Sequence, residues 1–131
     1  MKMKSLIAVL MLMFVITLHA QQTQGLLDGK KFSIELRKDG TPDATMTLVF
    51  DKGMMDALQY HAHGFSAATY QAKTAGGLQT FRVVCKSDKE GTMTWGGTIK
   101  DDQIEGTIVW TKEGQDAVRY TFKGTPDKTN K

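Results

Sequence analysis

The sequence predicts an all-β protein, an eight-stranded antiparallel up-and-down barrel. From residue 30 onward apolar and polar residues alternate with a period of two, and the spacing of an amphipathic helix never extends over a useful length. Turn residues interrupt the alternation about every 8 to 15 positions, which leaves no room for crossover helices. Eight such strands can close into a barrel without exposed edges; a two-sheet sandwich is the alternative fold.

The first twenty residues have the pattern of a secretory signal peptide. Lys2 and Lys4 precede an apolar run from Leu6 to Leu18, and the small residue Ala20 precedes a polar stretch. This run of 13 residues is shorter than the roughly 20 that a membrane-spanning helix needs. We therefore expect cleavage after Ala20, export to the periplasm or the medium, and no membrane span in the mature protein.

Removal of residues 1–20 would leave 111 of the 131 residues, with 15 of the 17 basic side chains and all 14 acidic ones, a net charge of +1. This length suits a single domain, which we place at residues 30–125 between an N-terminal segment (21–29) and a polar tail (126–131). Because the charge is nearly balanced, we predict no nucleic-acid partner. No cofactor is predicted.

The predicted strands follow one another as short segments separated by turns. KFSIELR and TMTLVFD come first, with the turn KDGTPD between them, and DKG then turns the chain into MMDALQY. The alternation of MMDALQY is ambiguous; pairing Phe50 with Met55 would send Ala57 and Gln59 inward. The remaining strands are AATYQAK, LQTFRVVCK, GTMTWGGTIK, QIEGTIVWTK and AVRYTFKG. Cys85 is the chain's single cysteine, so it cannot form an internal disulfide. It shares a strand face with Phe81 and Val83, which predicts a buried, unreactive thiol.

The hairpin GTMTWGGTIKDDQIEGTIVW gives the most detailed prediction. A tight turn at Asp101 and Asp102 places Ile99 opposite Ile104. The same register sets three further pairs on the inner face: Gly97 with Gly106, Trp95 with Ile108, and Met93 with Trp110. The two facing glycines have two interpretations. They can let the strands bend sharply, or they can leave a hollow beside the two tryptophans in which an apolar ligand would lie.

Several segments resemble a group of small exported bacterial proteins of mostly uncharacterised function, which look like lipocalin-type or avidin-type β-barrels. The likeness runs roughly from Leu27 to Thr125 and is carried by LLDGKKF, TLVF, the GF pair at 64 and 65, GTMTWGGTIK, IEGTIVWTKEG and YTFKGT. The tryptophan hairpin is its most specific part. The resemblance implies a barrel fold and export, and it implies no catalytic residue.

The stretch YHAHGF raises the possibility of a metal site. On a strand, His61 and His63 would point to the same face and could bind one ion. A metal site normally needs three or four ligands, and Asp56, Gln59, Tyr60 and Cys85 are the candidates for the others. The alternative is a surface segment with two solvated imidazoles.

No sequence motif of an enzyme is found, so we predict that the protein is not an enzyme. The first functional hypothesis is a binding protein for a small apolar or aromatic ligand. The second is a structural or interaction protein with a filled barrel, whose surface, especially residues 60–66, meets a protein partner in the cell envelope. The residues predicted to contact a ligand are Trp95, Trp110, Gly97, Gly106 and Tyr120.

Overall fold

Eight antiparallel strands, connected in sequence order, form a closed barrel in the computed structural model, which describes residues 25–128. The strands are β1 (Lys31–Lys38), β2 (Thr41–Asp51), β3 (Met54–Ala57), β4 (Ala68–Ala75), β5 (Leu78–Ser87), β6 (Gly91–Lys100), β7 (Gln103–Thr111) and β8 (Val118–Pro126). A 3₁₀ helix at Leu58–His63 follows β3. The predicted meander barrel is therefore confirmed. The sandwich is not formed, because β1 pairs with β8 and closes the sheet.

The register predicted for the tryptophan hairpin is confirmed at every pair. The β6–β7 ladder sets Ile99 opposite Ile104, and the other predicted pairs follow it in register: Gly97 with Gly106, Trp95 with Ile108, and Met93 with Trp110. Asp101 and Asp102 form the two-residue turn, with φ angles of 50° and 64°. Such left-handed angles at both central residues match the right-handed twist of the strands, so the turn fixes the register.

Two strand boundaries differ from the prediction by three residues or more. β2 begins at Thr41 rather than Thr45, because Asp39 and Gly40 alone make the β1–β2 turn with positive φ angles. The strand predicted over MMDALQY ends at Ala57, three residues early. Phe50 pairs with Met55, whereas Gln59 lies in the 3₁₀ helix with its side chain exposed. YHAHGF is therefore not a strand.

The barrel interior is filled by inward-facing side chains over most of its length. Phe50 is fully buried, with its ring edge-to-face against the rings of Tyr70 and Phe81, each at a centroid distance of 5.3 Å. The sulfur-bearing Cys85 is buried in the same core, and burial raises the pKa of its thiol to about 11. The largest fully buried side chains are those of Trp95, Phe50, Phe122, Leu27, Ile34, Leu36, Leu48, Met55, Ile104, Ile108 and Val83.

Residues 25–30 close one end of the barrel, which we call the lower end. This is the end at which β1, β3, β5 and β7 begin. The side chain of Leu27 is completely buried there, and its backbone N–H donates a hydrogen bond to the Tyr70 hydroxyl (2.8 Å). That hydroxyl donates to Asp28 Oδ1 (2.8 Å), which accepts a further bond from the Gly53 N–H (3.0 Å). The network ties the segment to β4 and to the β2–β3 turn.

The pairing between β3 and β4 is the shortest in the barrel. It consists of two residue pairs, Met54 with Thr69 and Met55 with Ala68, whereas every other neighbouring pair of strands shares at least four. The 3₁₀ helix and the loop to β4 continue from this short ladder toward the upper end of the barrel. Within residues 25–128, no helix has the length and apolar character needed to cross a membrane.

Candidate functional site

A cavity of about 450 Å³ lies at the upper end of the barrel. It is formed where β2, β6 and β8 begin, where β7 ends, and where the 3₁₀ helix lies between β3 and β4. The cavity exists here because β3 ends at Ala57, opposite Leu48 of β2, so that a helix and a loop take the place of the upper part of β3. Its size is within the range of about 300–1,000 Å³ that is usual for small-molecule sites.

Three half-buried aromatic side chains dominate the cavity wall. Tyr60 comes from the 3₁₀ helix, Trp110 from the end of β7 and Tyr120 from the start of β8. Buried Met46 and Met93 add apolar surface from β2 and β6. Large rings and flexible thioethers offer an adaptable apolar surface, which suits a ligand with an aromatic or aliphatic body.

The Trp110 ring is held by hydrogen bonding at its polar edge. Its Nε1–H donates to the backbone carbonyl of Glu90 at 2.5 Å. The Glu90 side chain in turn receives a hydrogen bond from Lys112 Nζ at 3.2 Å, and this ion pair links the β5–β6 turn to the residue that follows β7. Because its indole N–H is already bonded to protein, Trp110 offers the cavity its ring rather than a hydrogen-bond donor.

Tyr60 connects the cavity to the core beneath it. Its ring lies 5.9 Å from that of Phe65 and 6.3 Å from that of Trp95, measured between centroids. Burial is the main reason that the pKa of Tyr60 is raised, followed by the nearby Tyr120 and Asp43. Burial also raises the pKa of Tyr120, again with a contribution from Asp43. Both phenols are therefore protonated at neutral pH, and the charges at the cavity are the carboxylates of Asp43 and Glu90.

Of the five residues predicted to contact a ligand, the structure places Trp110 and Tyr120 on the cavity and Trp95 below it. Trp95 is fully buried and packs against Tyr60 and Phe122, the latter at a centroid distance of 5.4 Å. Its Nε1 has no hydrogen-bond partner among residues 25–128. Trp95 thus supports the ring of Tyr60 from beneath and does not line the cavity itself.

Gly97 and Gly106 do not border the cavity, and the space beside them is occupied. A Cβ on Gly97 would lie 2.9 Å from the Phe81 ring, and a Cβ on Gly106 would lie 2.8 Å from the Phe122 ring. These phenylalanines are the direct cross-strand neighbours of the two glycines on β5 and β8. No hollow lies above the glycine pair, which corrects the interpretation that their missing side chains leave room for a ligand.

His61 and His63 lie in the 3₁₀ helix, so the premise that they share a strand face is wrong. A 3₁₀ helix has about three residues per turn, which points positions i and i+2 in different directions. His61 Nε2 lies within hydrogen-bond distance of Asp56 Oδ1, at 2.6 Å, while the His63 ring packs against Tyr60 at the cavity. In the part of the chain that the structure describes, no three His, Cys, Asp or Glu side chains are grouped to hold a metal ion.

A second depression, of about 510 Å³, lies at the lower end on the outside of the barrel. Five charged residues border it: Lys30, Lys31, Asp51, Asp102 and Asp127. Such a surface suits solvent better than an apolar ligand. The upper cavity is therefore the candidate site.

Sequence reasoning did not assign Tyr60, Asp43 or Glu90 to a ligand cavity, which they reach from the 3₁₀ helix, the start of β2 and the β5–β6 turn. It considered Tyr60 as a candidate metal ligand and as part of a surface segment. Asp43 was assigned to a turn, and Glu90 follows β5 in a segment with no motif. Tyr60 stands directly before the two histidines, in the one segment whose alternation is ambiguous. The interruption of the apolar–polar alternation in this segment is the sequence signal from which the end of the strand, and hence the site, could have been predicted.

Comparison with known proteins gives no relative for this chain, since no family model, no curated protein and no solved structure matches it. The resemblance to small exported barrel proteins is therefore supported at the level of the fold alone.

Proposed function

We propose that the protein binds a small molecule with an apolar or aromatic body in the upper cavity. The observation that carries this proposal is the cavity itself, about 450 Å³ between the rings of Tyr60, Trp110 and Tyr120 at the end of an otherwise filled barrel. Binding there would bury the ligand against apolar side chains while the rim carboxylates stay near solvent. The hydrophobic effect would supply most of the affinity.

Ligand binding is better supported than an interaction module of the cell envelope. A protein-binding barrel would be expected to present a broad apolar patch on its outer surface. Among residues 25–128, the exposed large hydrophobic side chains are those of Met54 and Leu58, at 42% and 38% of their full exposure. Two side chains of this kind are too few for such a patch.

The proposal is tested with a neutral fluorescent probe, N-phenyl-1-naphthylamine, and with competing aromatic and aliphatic compounds that displace it. We expect saturable binding by the wild-type protein. Ala44 lies on the cavity wall, in line with Met46 on β2, so Ala44→Phe should fill the cavity and weaken binding at least about tenfold.

The matched control is Ala75→Phe, because Ala75 is exposed at the lower end of the barrel. This variant should bind the probe as the wild type does. Absence of saturable binding, or equal binding by Ala44→Phe and the wild type when both are folded by circular dichroism, would overturn the proposal.

We further propose that the protein acts after export, with residues 1–20 removed. The sequence pattern of these residues supports export; they lie outside the described part of the chain. The intact mass of the protein isolated from the periplasm or the medium should correspond to residues 21–131. A full-length mass in the soluble cell fraction would contradict export without bearing on the cavity.

A further inference from the structure

We propose that the ligand of the upper cavity carries a positive charge, as an ammonium group attached to an apolar or aromatic body. This inference rests on the proposed ligand-binding function and names the chemical class of its ligand.

The side chains lining the cavity include more acidic than basic groups. Asp43 and Glu90 are the carboxylates, and no lysine or arginine is found among the lining residues of the described chain. His63 contributes an imidazole to the cavity wall. The protein as a whole is nearly balanced, so this local excess of acid is a property of the cavity rather than of the composition.

The two carboxylates differ in their availability to a ligand. Glu90 is neutralised by Lys112, whose Nζ lies 3.2 Å from its Oε1. Asp43 forms no ion pair with any residue in the described range, and its side chain is exposed at the start of β2. Its charge nevertheless reaches the cavity, because it contributes to the raised pKa values of both Tyr60 and Tyr120. Asp43 is therefore placed to attract a cation.

The cavity wall adds a second attraction for a cation. Tyr60, Trp110 and Tyr120 present three aromatic rings on one small cavity. The faces of such rings are negative and attract a cation within about 6 Å of a ring centroid, most strongly in the case of tryptophan. A quaternary or alkylated ammonium is suited to this environment because it loses little hydration on entering it.

The test compares two probes of the same shape that differ in charge, phenyltrimethylammonium and its neutral isostere tert-butylbenzene. Binding of each to the wild-type protein is measured by displacement of N-phenyl-1-naphthylamine. We expect the cation to bind at least about tenfold more tightly. Asp43→Asn should weaken binding of the cation about three- to tenfold and leave the neutral probe unaffected. Asp51→Asn, which removes an exposed carboxylate at the lower end, is the control and should change neither.

The possible failures are distinguishable. Equal affinity for both probes, or tighter binding of the neutral one, would overturn the cationic ligand and leave the proposed function standing. A preference for the cation that Asp43→Asn does not reduce would overturn the role given to Asp43. If neither probe nor any compound of the aromatic set displaced the fluorescent molecule, or if this molecule did not bind at all, the ligand-binding function itself would fall.

Discussion

At the scale of single residues, space rather than backbone conformation requires glycine at the inner face of β6 and β7. Gly97 and Gly106 face each other across the ladder, and neither has a positive φ angle. Each is covered by a cross-strand phenylalanine, an arrangement in which an aromatic ring shields a glycine that lets the sheet bend. The missing side chains thus make room for the Phe81 and Phe122 rings.

Gly106→Ala is expected to destabilise the protein by about 2 kcal/mol or more, because the interior offers no space for a methyl group. The new Cβ would lie 2.6 Å from the Gly97 Cα and 2.8 Å from Phe122 Cζ. Urea unfolding measures the loss. Gly96→Ala is the matched control, since a Cβ at Gly96 meets nothing within 4 Å and should change the stability little. Equal stability of the two variants would contradict this account.

The sequence allowed the facing of the glycines to be predicted but not their environment. The two-residue turn fixed Gly97 opposite Gly106 within one hairpin. What covers them depends on the registers of β5 against β6 and of β7 against β8, whose connecting segments, residues 88–90 and 112–117, are longer and do not fix a register. A filled interior and a hollow were therefore equally compatible with the pattern.

At the scale of the element, the segment before β1 is part of the barrel core. Leu27 is completely buried at the lower end, and the Leu27 N–H, the Tyr70 hydroxyl and Asp28 form a hydrogen-bond network around it. The segment closes this end, which leaves the upper end for the cavity. No alternation indicates this role, because the segment is a series of turns that contributes one fully buried apolar side chain.

Leu27→Ala is expected to lower the free energy of unfolding by about 2–5 kcal/mol, since it leaves a cavity in a well-packed core. Leu26→Ala serves as control, because the Leu26 side chain is half-buried at the edge of the same core. Chemical denaturation of both variants gives the comparison. The importance of Leu27 would be refuted by a loss no larger than that of the Leu26 variant.

The elements could be predicted to different degrees for physical reasons. Strands with one buried and one solvated face show a clear period of two, and all eight were predicted. None of the side chains of the 3₁₀ helix at Leu58–His63 is fully buried, so the helix leaves no period to detect. Because Tyr60 is positioned by this helix, the part of the site that it contributes was also missed.

At the scale of the whole molecule, the free energy of unfolding falls at alkaline pH, because several tyrosine and cysteine side chains that lose a proton there are buried. Burial is the main reason that the pKa of Tyr70 is raised to about 12, with a further contribution from its hydrogen bond to Asp28. The unfolded chain releases the Tyr70 proton near pH 10, whereas the folded protein retains it to a higher pH. The stability conferred by Tyr70 is thus fully present below pH 10 and is lost as the pH rises toward 12.

Urea unfolding of the wild type and of Tyr70→Phe at several pH values tests this sign. The variant should be less stable by about 1–3 kcal/mol at pH 8, because it leaves the buried Leu27 N–H without its acceptor. At pH 11 the difference should be smaller by roughly 1 kcal/mol, because the unfolded wild-type chain then releases the Tyr70 proton while the folded protein retains it. Tyr120→Phe is a control with little expected effect at pH 8. A difference between the wild type and Tyr70→Phe that grows between pH 8 and pH 11 would contradict the assignment.

The short ladder between β3 and β4 has a consequence for the motions of the barrel. Hydrogen bonds in the middle of long ladders open only with much of the fold, whereas those of a short one open locally at a lower free energy. With two residue pairs, β3 and β4 form the seam at which the wall separates most readily. This seam leads directly into the helix that carries Tyr60. The barrel is therefore most compliant beside its cavity, and a molecule entering from the side would displace this corner while the long ladders of β5, β6 and β7 stay closed.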